Sequence, residues 1–355
     1  MSQNDSHTPY YVLALMILIS IVFTVVIWSI GPFIQTWTDQ LIPDQGAEWY
    51  YWKLPTRNNL NMIIVWSLYL AHQILIWGAI YWASKNLKDY RTTGMKLGKY
   101  NYSMLIITIV FMMLHIVKTI FIFDGLAQDV PIWTSQGSVI LMLIIVLVIE
   151  NPRRGLFLGK RAGKPFTAQV SGFFRRNHSY IISWALVYTF WFHPAVNDPQ
   201  LVSGFFYMFL LFTQMILAYT PVHLDKRWII TLESWVAIHA VFVAVYNTID
   251  HGSSDMWVMF FSGFAFMFVF TYMYALDMKK QYRWVVTAIY FAFLVWVYLP
   301  SEFGGYGRDI SYLMRLEFLW IPIILYLLAA VIAALAYIYL GRTKDKPKIS
   351  KEPIQ

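Results

Sequence analysis

Long apolar runs broken by short charged loops organise this chain from end to end. Runs at 10–30, 60–82, 102–123, 135–149, 179–193, 204–220, 228–248, 256–276, 284–299 and 316–340 carry few or no charged residues. Most reach the roughly 20 residues that take an α-helix across a hydrocarbon core about 30 Å thick, although the fourth and fifth are short. Inside lipid each backbone N–H and C=O must find a partner within its own segment, so such runs fold as helices. A transmembrane β-barrel would show short segments of alternating polarity instead. The pattern predicts an all-α fold, a polytopic transmembrane helical bundle of about ten spans. The first run has neither a basic flank ahead of it nor a small-residue cleavage site after it, so it reads as a retained span.

Charge orients the bundle. Of the 27 Lys and Arg residues, all but Lys53, Arg57, Lys118, Arg308 and Arg315 fall in alternate loops on one side, or in the tail. The opposite loops hold Asp39, Asp44, Glu48, Asp124, Asp129, Asp198, Asp250, Asp255, Glu302 and Asp309. Basic loops stay cytoplasmic, which predicts cytoplasmic N- and C-termini in a plasma or inner membrane. Trp37, Trp49, Tyr50, Tyr51 and Trp52 crowd the first outer loop, and Trp228 and Trp284 open spans at the inner boundary, the depth that suits a ring with a polar tip. Residues 1–341 read as a single transmembrane domain and 342–355 as a basic cytoplasmic tail attracted to anionic lipid.

Composition agrees with that picture and removes some chemistry. The chain is 59% hydrophobic and 13% charged, against about 25% charged in soluble domains. With no cysteine there is no disulfide, thiolate metal site or iron–sulfur cluster. The net charge of +8 is spread over loops and builds no basic domain, so the expected partner is the lipid bilayer and not nucleic acid.

Candidate chemistry rests on histidines inside the spans, because ionisable groups in lipid face a bundle interior or a water-filled cavity. His72, His115 and His239 each fall near the middle of a span, at matching depth. Neutral imidazoles from different helices at one depth are the arrangement that holds b-type haem. The leading expectation is therefore a membrane redox protein that binds haem b or a metal. His72, His115, His239 and His193 are its cofactor-binding candidates, His115 and His239 its metal ligands, and a quinone or another carrier its electron partner. His178 and His193, fifteen residues apart on one run, offer a weaker two-haem spacing. The competing reading is that each ring simply hydrogen-bonds a neighbouring helix.

Other charged residues have plainer explanations. Lys118, one turn after His115, is expected to snorkel outward or meet Asp124, and Glu233 to pair with Lys226 or Arg227. The outer acids read as a solvated face. The inner loop 151–177 has glycines and seven basic residues but lacks the GxxxxGK[ST] spacing, so its charge reads as topology.

Two further function classes stay open. A transporter usually shows paired Gly or Pro interruptions, whereas here Gly78 and Gly263 stand singly and Pro322 lies near a span's start. Ten spans in about 350 residues with both ends inside resemble the ten-helix membrane acyltransferases in general plan. Those enzymes place an Arg before a His on an early span, while Arg57 here precedes His72 by fifteen residues and sits outside the run. A lipid- or acyl-modifying enzyme is the corresponding alternative.

Overall fold

Each of the ten apolar runs becomes a long helix. The computed structural model describes residues 8–43, 51–87, 97–123, 125–251 and 256–342, without the side chains of 248, 250 and 251. His7, Asp44, Glu48, Trp49, Tyr50, Asp124, Asp255, the Asp250 and His251 side chains and the tail 343–355 lie outside the described residues. In chain order the helices are α1 (Thr8–Ser29), α2 (Gly31–Thr38), α3 (Asn59–Asn86), α4 (Lys99–Phe121), α5 (Ile132–Arg154) and α6 (Ala168–Phe192). They continue with α7 (Pro199–Ile216), α8 (Lys226–His251), α9 (Trp257–Phe270), α10 (Lys280–Tyr298), α11 (Ile310–Met314) and α12 (Trp320–Arg342).

The described residues form an all-α bundle in which eight helices are long and apolar enough to cross a bilayer. Among the ten long helices, α6 and α10 are the two outside that set. They have the length, 25 and 19 residues, but α6 carries Arg175, Arg176 and His178, and α10 opens on Lys280 and Arg283. The helix starts follow local chemistry. Asn58 Oδ1 accepts from Leu60 N at 2.9 Å to cap α3, and Asp198 Oδ1 accepts from Gln200 N at 2.9 Å ahead of Pro199 to cap α7.

Several helices are apolar all round. On α1, Met16, Ser20, Phe23 and Ile27 face inward at helical spacing, while the exposed Leu15, Leu18 and Val22 are equally apolar. The interior packs as two main clusters. One joins α1, α3, α4, α6 and α7 around Phe190, Trp191 and Phe212; the other joins α5, α6, α9 and α12. On α12, Ala329, Ala333 and Ala336 make a small-residue seam that lets backbones approach. Gly263 of α9 serves the same end, since a Cβ there would lie 2.8 Å from Ile321 Cβ.

Several charges near the helix ends are neutralised in pairs. Asp129 Oδ1 meets Arg57 Nε at 2.6 Å while its other oxygen accepts from Trp66 Nε1 at 2.9 Å. Glu317, buried, accepts from Arg308 Nε at 2.6 Å and from the Tyr298 hydroxyl at 3.3 Å. The acidic residues expected to form a solvated face thus serve partly as struts and helix caps.

Candidate functional site

The four candidate histidines are all held by specific partners. His72 of α3 is buried, and Trp191 Nε1 donates to its Nδ1 at 3.1 Å. An indole nitrogen only donates, so Nδ1 accepts and a neutral ring carries its proton on Nε2. The ring stacks at 4.3 Å on Phe111 of α4 and at 5.6 Å on Phe212 of α7. His115 of α4 reaches the backbone carbonyl of His193 through Nε2 at 3.0 Å, which makes Nε2 its donor and Nδ1 its acceptor. Its ring lies 4.5 Å from Phe190 and 4.7 Å from Trp191, edge-on to the indole.

His193, just beyond α6, donates from Nδ1 to the Thr189 carbonyl at 3.0 Å, and its ring lies 5.1 Å from Trp52. His239 of α8 meets Ser203 Oγ of α7 at 2.8 Å. That hydroxyl also donates to the Gln200 carbonyl at 2.9 Å, so with both bonds made His239 is the donor. Sequence depth therefore brought His72 and His115 to common neighbours, Phe190 and Trp191, while His239 is tied across to α7.

The redox expectation is corrected here. Among the described residues no group of three or more His, Cys, Asp or Glu gathers where a metal ion could be held. Each of these rings is engaged by its own helix neighbours, and aromatic side chains pack the faces of His72 and His115. Matching depth along separate helices did not gather three or more ligating groups at one point among the described residues. Lys118 is buried and donates to the Phe123 carbonyl at 3.1 Å, so it does not snorkel outward; its other expected partner, Asp124, lies outside the described residues.

A second kind of arrangement, a buried charge pair, lies away from the histidines. Arg154, in the last turn of α5, forms an ion pair with Glu233 of α8, and their side chains are 1% and 9% exposed. The expected partner Lys226 instead meets Asp277 at 3.2 Å. The segment immediately after Arg154 holds it in place. Gly155 (φ +78°) ends α5, and a Cβ there would come within 2.5 Å of Gly159. The chain then doubles back, Leu156 N donating to the Lys160 carbonyl at 2.9 Å. This small hairpin docks on the end of α9 through Leu158 N to the Phe270 carbonyl at 2.8 Å and Thr271 Oγ1 to the Leu156 carbonyl at 2.9 Å. The Arg154 guanidinium consequently lies 4.8 Å from the centre of the Tyr272 ring.

Above this pair runs a groove of about 800 Å³ between α8, α9 and α10. Its walls include Ile238 and Phe242 of α8, Phe264 and Phe268 of α9, and Ile289 and Phe293 of α10. Ile238 and Ile289 are 54% and 64% exposed, so the groove opens sideways on the surface where lipid would lie. Glu233 stands at one end of the lining on α8. Glu233 Oε1 and the adjoining Arg154 Nη2, and the Tyr290 hydroxyl on the α10 wall, are buried and have no hydrogen-bond partner among the described residues. Such orphans are costly in an apolar medium and mark a place where a polar group of a ligand or water is needed.

No family model, curated protein or solved structure matches this chain. Its function has to be argued from the groove itself. A buried Arg–Glu pair was not legible from α5 and α8 separately, because Arg154 is one basic residue of a basic loop and Glu233 stands near two other cations. The available signal was the depth of Glu233, about two turns into an apolar run, where a carboxylate requires a partner.

Proposed function

We propose that the protein is an integral membrane protein that holds one long-chain amphiphile in the groove between α8, α9 and α10, within the lipid- and acyl-handling class. In this reading the ten long helices all span, with the basic loops and both termini cytoplasmic, so the Glu233 end of the groove lies toward the inner leaflet. The observation that carries the proposal is an apolar, laterally open groove closed at one end by a buried ion pair with unpartnered polar atoms. Its dimensions support it. Groove-lining positions on α8 run from Glu233 to Val245, a rise of about 18 Å. That is close to half of a hydrocarbon core about 30 Å thick, the depth of one leaflet's chains. Side entry from the bilayer needs no gate, which fits helices without paired Gly or Pro breaks.

The test is photolabelling of the full-length protein in nanodiscs with a long-chain alcohol carrying a diazirine near its middle. Labelled peptides should concentrate on α8, α9 and α10, and Ala237→Trp or Ala265→Trp, which fill the groove from facing helices, should remove most of that label. Label spread evenly over the lipid-facing α1 and α12, unchanged by both variants, overturns the proposal.

A further inference from the structure

The groove walls alone give little selectivity, because a chain that leaves lipid for an apolar groove exchanges one hydrocarbon environment for another. Choice of ligand therefore falls on the polar end, and the charges there are unequal. Resting on the groove reading above, we infer that the occupant is a phosphate-bearing lipid of the inner leaflet, with Arg283 as the contact for its headgroup.

Arg283 lies in the first turn of α10, at the basic end. It precedes Val286, Tyr290 and Phe293, which line the groove, by three, seven and ten residues, so it continues their stripe one turn beyond the lining. Its guanidinium lies 5.0 Å from the centre of the Tyr274 ring, and its Nε is buried without a partner among the described residues. On another side Tyr274 is in contact with Gly159, the tip of the hairpin that positions Arg154. The carboxylates of this region are taken by other cations, Glu233 by Arg154, Glu150 by Arg153 and Asp277 by Lys226. Arg283 has no carboxylate partner among the described residues.

An arginine held by an aromatic face keeps its fork of N–H donors directed, the geometry that suits phosphate oxygens. A charge at the first turn of a spanning helix also sits at headgroup depth, so phosphate meets it without leaving its own layer. A neutral lipid with the same chains would fill the groove and leave Arg283 unmatched.

The experiment is competition against the diazirine probe, on the full-length protein in mixed micelles, by dioleoyl phosphatidic acid, dioleoylglycerol and inorganic phosphate. Phosphatidic acid is expected to compete at least tenfold better than dioleoylglycerol. Arg283→Gln should abolish that preference, Arg283→Lys should keep part of it, and Lys280→Gln should leave it intact. Equal competition by the two lipids, a preference that survives Arg283→Gln, or displacement by inorganic phosphate alone overturns the headgroup assignment while the groove stands. If neither lipid competes, and groove-filling Ala237→Trp and Ala265→Trp leave labelling unchanged, the groove reading itself fails.

Discussion

Replacing Arg154 or Glu233 alone should damage this protein far more than replacing both. The two side chains are 1% and 9% exposed, so removing one leaves an unpaired charge in the bundle interior. Breaking a buried pair in this way costs about 3–5 kcal/mol. The pair itself is imperfectly satisfied, because Arg154 Nη2 and Glu233 Oε1 have no further hydrogen bonds to offset their desolvation. Exchange of both for apolar residues is then near neutral or even stabilising by about 1–4 kcal/mol. Loss of the Arg154 contact with Tyr272, worth about 1–2 kcal/mol, works against that gain. The assay is equilibrium unfolding by sodium dodecyl sulfate in mixed micelles for Arg154→Met, Glu233→Met and the double variant. A coupling energy of about 3 kcal/mol or more is expected. Single costs that add to the double within about 0.5 kcal/mol would refute the reasoning, since additive effects mean uncoupled sites. The double variant should fold yet lose probe labelling near the polar end of the groove, which separates a binding role from a structural one.

Two other outcomes are expected. His72→Phe leaves the Trp191 indole N–H without its acceptor and should cost about 1–3 kcal/mol in the same unfolding assay, with much of the loss regained in His72→Phe/Trp191→Phe; a neutral single variant contradicts the assigned bond. His223, in the turn between α7 and α8, is held down to about 4 by desolvation and by His178, whose ring is 6.3 Å away, against the opposing bond to the Gln214 carbonyl. The unfolded chain binds this proton more readily than the folded one, so stability is present above about pH 6.5 and is lost as pH falls toward 4. His223→Gln should flatten that part of the unfolding profile, and an unchanged slope would contradict the assignment.

Helix positions were legible along the sequence because helix hydrogen bonds are local. Each long apolar run pairs its backbone within itself, and the ten runs correspond one for one with α1, α3 to α10 and α12. Loops were harder to read. The hairpin after Gly155 depends on a positive φ and on contacts with α9, so the glycines in the inner loop showed only that the chain turns there. The same holds for Lys118, whose burial depends on the carbonyl of Phe123 just beyond α4.

The site separates the two levels of information most clearly. Sequence alone determined that charges are segregated by loop and that three histidines share a depth, since both are properties of position along one axis. Rotation about each helix axis, and the neighbour it meets, are set only when side chains pack. Packing gave His72 to Trp191, His115 to the His193 backbone and His239 to Ser203. It also drew Arg154 and Glu233, 79 positions apart in the chain, into one pair beneath an apolar groove. Position along each helix axis is encoded by the chain because the rise per residue is fixed. Convergence within a layer is decided by the bundle, because it depends on every helix that packs there.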